Sequence, residues 1–221
     1  MQINTLIQYL TSFILFCFNI CLFISINPYF CIMKKIAVFA SGSGTNAENL
    51  CAYFRENKTV SVVLLATNNK NAFVVERLKK FNIPSFCFSK SEMNNSEIVQ
   101  KKLSEYSIDL IVLCGFLLKI PENIISLFSD RIINIHPSLL PKFGGRGMYG
   151  KNVHKAVVGA KETHSGITIH YVNNNYDEGD IIFQEKLPLT KSETPKSLSE
   201  KIHVLEMKRF PSVILEVINS L

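Results

Sequence analysis

The stretch KIAVFASGSGTNAENL, residues 35–50, joins an apolar run to a glycine-rich turn and then to an amphipathic segment. Residues 35–40 are rich in apolar and β-branched side chains, which predicts a short buried strand. Gly42 and Gly44 mark the turn, and apolar side chains recur at helical spacing from residue 46. A strand that passes through a tight turn into a helix is the repeating unit of an α/β fold, so this stretch predicts that class.

The same alternation of strand and helix continues along the chain. Apolar runs predict further strands over 61–68, 84–89, 109–116, 131–136, 166–172 and 180–189. Amphipathic segments predict helices over 46–58, 71–82, 95–106, 121–128, 152–160 and 194–221, the last kinked or broken at Pro211. We therefore predict one Rossmann-like α/β domain over residues 33–221, with a mostly parallel sheet and helices on both faces.

Residues 1–32 differ from the rest of the chain because they contain no charged side chain. Lys34 and Lys35 follow this apolar segment, which suits a membrane anchor under the positive-inside rule. Polar residues nevertheless interrupt the run of about 20 apolar residues that a membrane span requires. Met33, followed by two lysines and a strand, has the pattern of a protein start. We expect residues 1–32 to be an apolar extension upstream of the true start, with a membrane segment as the alternative.

Charge and cysteine content limit the classes of partner. The formal net charge is +6, and no run of lysine or arginine exceeds two residues. Such diffuse charge suits an anionic small molecule at least as well as nucleic acid, so we expect no nucleic-acid partner. The six cysteines form no CxxC pair, which leaves no zinc motif and no disulfide framework. We expect no metal site and a cytoplasmic location.

The glycine turn is a candidate anion site. In open α/β sheets ligands bind where strands give way to helices, and a helix N-terminus offers unpaired N–H groups. Gly44, Thr45 and Asn46 stand at that position. The third glycine of a dinucleotide fingerprint is replaced by Ala47, so the pattern predicts a phosphate site without specifying a dinucleotide. A tight turn with a side-chain helix cap is the structural alternative.

A polar cluster stands at the end of the strand 131–136. Asn134 and His136 lie two residues apart and therefore point to the same side of a strand. Asp177, in the turn after the strand 166–172, is a candidate partner that would raise the imidazole pKa. Asn, His and Asp together stabilise an oxyanion and handle a proton, and no GxSxG nucleophile accompanies them. This suits group transfer between two bound substrates, although a structural histidine and a turn-forming asparagine remain the alternative.

Five motifs together resemble the folate-dependent glycinamide ribonucleotide formyltransferases from Met33 to Leu221. They are SGSGTN at 41–46, LCGFLLKI at 113–120, NIHPSLLP at 134–141, SGITIHYV at 165–172 and DEGDII at 177–182. The resemblance implies transfer of a formyl group from 10-formyltetrahydrofolate to the amine of phosphoribosylglycinamide in purine biosynthesis, without a metal. It also implies a monomer or homodimer.

The resemblance also assigns roles to particular residues. Asn134, His136 and Asp177 would be catalytic: Asn134 and a protonated His136 would stabilise the tetrahedral oxyanion, and Asp177 would raise the pKa of His136 and organise water for proton transfer. Gly44, Thr45, Asn46 and Glu206 would hold the ribonucleotide, and Leu117, Leu118, Lys119 and Ile120 would line the folate pocket together with Asn134. A basic folate contact of the family is replaced by residues 94–96, Asn-Asn-Ser. The insertion at 143–154 is expected to be a solvated loop, and the alternative is that its Arg146, Lys151 and His154 reach an anionic substrate.

Three alternatives remain open at the level of the sequence. A formyltetrahydrofolate deformylase would use water in place of the amine, and its family carries an extra N-terminal domain. A methionyl-tRNA formyltransferase would need a C-terminal RNA-binding domain. A non-catalytic nucleotide-binding module would leave His136 and Asp177 without a role. The transferase acting on phosphoribosylglycinamide is the interpretation that we favour.

Overall fold

The computed structural model describes residues 33–221. Residues 1–32, where we expected an extension or a membrane segment, lie outside the described residues. Within 33–221, no helix combines the length and apolar character needed to cross a membrane. Residues 34–221 form a single compact unit.

Seven strands in the described part of the chain form one sheet. They are β1 (Lys34–Phe39), β2 (Val60–Thr67), β3 (Ser85–Cys87), β4 (Leu110–Leu113), β5 (Ile132–His136), β6 (His164–Tyr171) and β7 (Ile181–Pro188). Their order is β3-β2-β1-β4-β5-β6-β7. The first five strands pair in parallel, and β6 and β7 are antiparallel. The predicted mostly parallel α/β sheet is confirmed.

Helices cover both faces of this sheet. They are α1 (Thr45–Phe54), α2 (Phe73–Leu78), α3 (Lys90–Asn95), α4 (Glu97–Glu105), α5 (Glu122–Leu127), α6 (Lys151–Gly159) and α7 (Pro195–Asn219). Strand side chains alternate between two apolar clusters, so that in β1 Ile36 and Val38 join one cluster while Ala37 and Phe39 join the other. The first cluster packs against α1, α2, α6 and α7, and the second against α3, α4 and α5.

The sequence pattern missed the helix α3. A capping box starts it, because Ser89 Oγ accepts from the Glu92 N–H and the Glu92 side chain accepts from the Ser89 N–H. Ser96, with a φ of 59°, separates α3 from α4. A polar helix of six residues has too few apolar positions to show helical periodicity, and its capping residues were its main sequence signal.

The closing helix α7 runs through Pro211 without a break. Proline has no N–H, so the carbonyl oxygen of Met207, four residues earlier, loses its usual partner. The Asn49 side chain of α1 replaces that partner, donating from Nδ2 to Met207 O at 2.8 Å. Pro211 itself is buried, next to Phe210 of the first apolar cluster. Of the two predicted outcomes, the break is therefore wrong, because a contact between helices compensates for the missing hydrogen bond, and the kink stays a prediction.

The strand order creates a crevice at the carboxyl edge of the sheet. β1 is bordered by β2 on one side and by β4 on the other, so the connections that leave β1 and β4 diverge to opposite faces. Ligand sites in open α/β sheets lie at such switch points. The glycine turn follows β1, and the predicted folate segment follows β4.

Candidate active site

A cleft of about 740 Å³ opens at this edge of the sheet. The glycine turn, the segment after β4 and the end of β5 form its walls. All of the predicted site residues line it: Gly44, Thr45, Asn46, Leu117, Leu118, Lys119, Ile120, Asn134, His136, Asp177 and Glu206. The fold therefore gathers into one cavity groups that are far apart in the sequence.

Asn134, His136 and Asp177 form a close cluster. Asn134 and His136 share one face of β5, and Asp177 lies in the turn between β6 and β7. Asn134 Nδ2 donates to Asp177 Oδ1 at 3.4 Å. His136 Nδ1 lies 3.5 Å from Asp177 Oδ2. The structure thus brings the amide, the imidazole and the carboxylate to one point in the cleft.

Asp177 is fixed by its backbone and by a neighbouring amide. Its φ of 58° lies in the left-handed region, which few non-glycine residues occupy. The Gly145 N–H donates to Asp177 Oδ2 at 2.9 Å. Burial alone would raise the pKa of Asp177, but the neighbouring imidazoles of His170 and His136 and the Gly145 N–H together hold it below its ordinary value. Asp177 is therefore a carboxylate at neutral pH.

His136 is almost completely buried, with 3% of its surface exposed. Its Nε2 lies 2.8 Å from the carbonyl oxygen of Phe143, and because a carbonyl only accepts, Nε2 carries a proton. Burial lowers the pKa of His136 below its ordinary value, and the Asp177 carboxylate only partly offsets this effect. The expected raised pKa is wrong in direction, because desolvation of the ring outweighs its charged neighbour.

His170 belongs to the cluster and was missed by the sequence interpretation. It lies opposite Asn134 in the antiparallel pairing of β5 with β6. Its Nε2 is 3.1 Å from Asn134 Nδ2 and 3.7 Å from Asp177 Oδ1. The available signal was the alternation in β6, where Thr168 and His170 are polar between apolar neighbours. The antiparallel register that places His170 beside Asn134 was not predictable from that alternation alone.

The glycine turn exposes backbone donors to the cleft. Gly44 is the N-cap of α1, and no side chain caps the helix there. The N–H groups of the first helical turn have no acceptor within the helix, because the hydrogen-bonded ladder begins only with Glu48 N donating to Gly44 O at 2.9 Å. The structural alternative of a side-chain cap from Thr45 or Asn46 is not what the structure has. The N-terminus of α1 instead presents a concentration of donors and partial positive charge.

Glu206 on α7 closes the same end of the cleft. Asn46 Nδ2 donates to Glu206 Oε2 at 3.1 Å, and His203 Nδ1 lies 3.5 Å from the same oxygen. The hydrogen bond to Glu206 raises the pKa of His203. Asn46 Oδ1 is buried without a hydrogen-bond partner among the described residues. An unpaired acceptor beside a carboxylate suits a ligand that brings hydroxyl or N–H donors.

The predicted folate segment, residues 117–120, forms the opposite wall. Leu117 N donates to Ser41 Oγ at 3.0 Å, and that hydroxyl donates in turn to Asn68 Oδ1 at 2.6 Å. These bonds tie the segment after β4 to the ends of β1 and β2. Leu117 is half exposed, whereas Ile120 is buried. The segment therefore presents an apolar surface on a fixed backbone.

The insertion at 143–154 does not behave as a solvated loop throughout. Arg146 is exposed and lines the cleft, and Lys151 is the exposed first residue of α6. His154 is only 5% exposed and also lines the cleft, with Nδ1 buried and unpaired among residues 33–221. Burial lowers the pKa of His154. For His154 the solvated-loop prediction is wrong, because α6 packs its inner face against the sheet.

Comparison with known proteins decides the family. The model of the formyl transferase family matches residues 34–214. The chain belongs to the formyl transferase family. A chloroplastic phosphoribosylglycinamide formyltransferase of Arabidopsis thaliana is 38% identical over 190 residues, which is 82% of this chain and 64% of that protein. The phosphoribosylglycinamide formyltransferase of Bacillus subtilis is 37% identical over 191 residues, or 84% and 95% of the two chains. The match thus spans just under two thirds of the plant protein and nearly all of the bacterial one.

Solved structures give the same relationship. A phosphoribosylglycinamide formyltransferase from Anaplasma phagocytophilum aligns with this chain at a TM-score of 0.78 and 30% identity, covering 85% of this chain and 88% of that one. The enzyme of the same name from Bacillus halodurans aligns at 0.75 and 35% identity, covering 83% and 95%. Within residues 33–221, no group of three or more His, Cys, Asp or Glu side chains is placed to hold a metal ion.

Proposed function

We propose that this protein transfers the formyl group of 10-formyltetrahydrofolate to the amine of phosphoribosylglycinamide. The amine nitrogen attacks the formyl carbon, the bond from that carbon to folate N10 breaks, the amine loses one proton and N10 gains one. The observation that carries the proposal is the convergence of Asn134, His136 and Asp177 in one cleft, with the glycine turn and its uncapped helix N-terminus on one wall. The family membership and the names of the relatives support it.

The two walls of the cleft suit two substrates. The backbone donors of Gly44, Thr45 and Asn46 match a phosphate group, and Glu206 accepts hydrogen bonds from ribosyl hydroxyls. The apolar wall at residues 117–120 packs against the flat ring system of the folate and offers backbone groups to its polar edge. This arrangement places the substrate amine and the formyl group between the walls, beside the polar cluster.

Asn134 stabilises the tetrahedral intermediate. Attack on the formyl carbon places negative charge on its oxygen, and an amide N–H directed at that oxygen lowers the barrier. One hydrogen of Asn134 Nδ2 is directed toward the Asp177 carboxylate, and the other toward His170 Nε2, which accepts because His170 Nδ1–H donates to Tyr171 O. The hydrogen on the His170 side is the one that would turn to the substrate oxygen. The β5 strand and its pairing with β6 hold the amide in position before the substrates arrive.

His136 carries the proton between the two nitrogens. Because Nε2–H donates to Phe143 O, the neutral ring has its lone pair on Nδ1, on the side of Asp177. A lowered pKa keeps this nitrogen unprotonated near neutral pH, so it accepts the proton that the amine loses. The Asp177 carboxylate then stabilises the imidazolium until the proton passes to folate N10.

A direct assay tests the proposal. Tetrahydrofolate should form from 10-formyltetrahydrofolate only when phosphoribosylglycinamide is present, in equal amount to the formylated amine. Release of formate without the amine would instead identify a deformylase. His136→Ala should lower kcat at least about a hundredfold, which is usual for a lost proton acceptor, with ribonucleotide binding retained.

The exposed residue His164 provides the matched control. His164→Ala lies on β6 outside the cleft and should leave kcat unchanged. Turnover of His136→Ala at the level of the parent protein would contradict the proposed role. A cytoplasmic location and a monomeric or homodimeric state stay predictions.

A further inference from the structure

The helix α2 holds the glycine turn from the side opposite the cleft. Val74 N donates to Gly42 O at 3.1 Å, and Arg77 Nε donates to Ser43 O at 2.9 Å. Gly44 has a φ of 76°, and a Cβ there would lie 2.3 Å from the Val74 side chain. Residues of the turn line the cleft, whereas none of the described lining residues comes from α2. Two successive carbonyl groups of the turn therefore point to α2.

These two hydrogen bonds set the direction of two amide protons. In a trans peptide the C=O and the N–H of the next residue point in opposite directions. Because the carbonyls of Gly42 and Ser43 point to α2, the N–H groups of Ser43 and Gly44 point away from it. Adjacent N–H groups with a common direction form an anion-binding concavity. The first turn of α1, which follows directly, adds its own donors to the same side.

Three contacts hold the Arg77 side chain in place beside the glycine turn. Besides Ser43 O, its guanidinium pairs with Glu48 on α1 and lies 5.0 Å over the Phe73 ring. Its side chain is 24% exposed. A planar guanidinium can donate to a carbonyl and a carboxylate at once, whereas the ammonium of lysine is a point donor on a flexible stem. Glu48 is shared with Lys80, and a lysine at position 77 would keep the positive charge, so the planar geometry of the guanidinium is what distinguishes Arg77 at this position.

We propose that Arg77 is a positioning residue for the phosphate-binding turn, acting through the Ser43 peptide to direct the Gly44 N–H at the phosphate group of the substrate. The inference rests on the proposed function. It predicts that loss of the guanidinium contacts of Arg77 with Ser43 O and Glu48 weakens binding of the phosphate group and leaves binding of the rest of the substrate unchanged. Arg77 does not line the cleft, so we expect the chemical step at Asn134 and His136 to be unaffected.

The test measures how much the phosphate group contributes to the binding affinity of the substrate. The dissociation constants of phosphoribosylglycinamide and of its dephosphorylated form are measured with the full chain and with Arg77→Lys. The variant should bind the phosphorylated compound about tenfold more weakly, as expected for the loss of one oriented donor, and should bind the dephosphorylated compound equally well. KM for the ribonucleotide should rise with kcat and folate binding unchanged.

Two further variants define the origin of the effect. Arg55→Lys makes the same substitution at an exposed site at the other end of α1 and should change nothing. Glu48→Gln removes the ion pair but leaves the Ser43 contact, and should retain most of the phosphate preference. Should Arg77→Lys fail to fold, Arg77→Gln is measured in the same way. Equal weakening for both compounds, or none for either, would overturn the inference, whereas a parent protein that binds neither compound would overturn the proposed function.

Discussion

His136 lies between two hydrogen-bond acceptors in a buried position. The Phe143 carbonyl oxygen and the Asp177 carboxylate both favour a protonated ring, while the loss of water around it favours the neutral form. The loss of water is the larger effect, so the pKa of His136 lies below its ordinary value. A ring balanced in this way changes protonation with a small free-energy cost, which is what a proton carrier between two nitrogens requires.

Replacing Asp177 by asparagine should move the pH dependence of the reaction. The Asp177 carboxylate raises the pKa of His136 against the larger effect of burial, so removing its charge lowers that pKa further. The acidic limb of the kcat/KM profile, which reports protonation of the free base, should therefore move to lower pH. Because the imidazolium also loses its stabilising charge, kcat should fall about tenfold or more.

The control for this change lies in the same turn. Asp180→Asn is an equally isosteric change at an exposed side chain three residues away, and it should leave both kcat and the acidic limb in place. If the acidic limb of the kcat/KM profile does not move in Asp177→Asn, a group other than His136 determines that limb.

At the scale of elements, α1 and α7 depend on one hydrogen bond between them. Asn49→Ala would leave the Met207 carbonyl without a donor, since Pro211 has none to give. An unpaired carbonyl in this packed region should lower the free energy of unfolding by about 1–3 kcal/mol. In a Pro211→Ala background the new N–H pairs with that carbonyl, so the cost of Asn49→Ala should shrink.

A double-mutant cycle measures this dependence. The free energy of unfolding is taken from urea denaturation of the parent protein, both single variants and the double variant. Asn57 lies in the connection after α1, and its side-chain oxygen accepts a hydrogen bond from Val60 N. This contact is unrelated to α7, so Asn57→Ala should lower the free energy of unfolding by the same amount with or without Pro211. Equal costs of Asn49→Ala in both backgrounds would show that the α1–α7 bond contributes nothing.

The elements differ in how much of them the sequence revealed. The buried strands were predictable because each is a continuous apolar run, as in Leu110–Leu113. The helix α3 and the continuity of α7 through Pro211 were not, since the first depends on local capping and the second on a donor 158 residues away in the chain. Patterns within a window report local structure, and they carry no information on such distant contacts.

At the scale of the whole molecule, the same distinction separates the site residues. Asn134 and the glycine turn were predictable because parallel strands bring their carboxyl ends to one edge. His170 and His154 were not, because each reaches the cleft only through the antiparallel register of β6 or the packing of α6. The pKa of His136 was also misjudged, since burial is a property of the complete fold and cannot be judged from a neighbour in the sequence.

Because each wall of the cleft is assigned to one substrate, we predict that the two substrates bind independently. Phosphoribosylglycinamide on the glycine turn and a folate analogue unable to donate its formyl group on residues 117–120 should each raise the unfolding temperature. At about one hundred times its dissociation constant, each ligand should add about 2.7 kcal/mol to the free energy of unfolding. Because the subsites are separate, the stabilisation by both ligands together should equal the sum of their separate stabilisations, as measured by thermal unfolding.

Ribose at the same concentration lacks the phosphate and should add nothing. Mutual exclusion of the two ligands would mean that they share one subsite, and the assignment of one wall to each would be wrong.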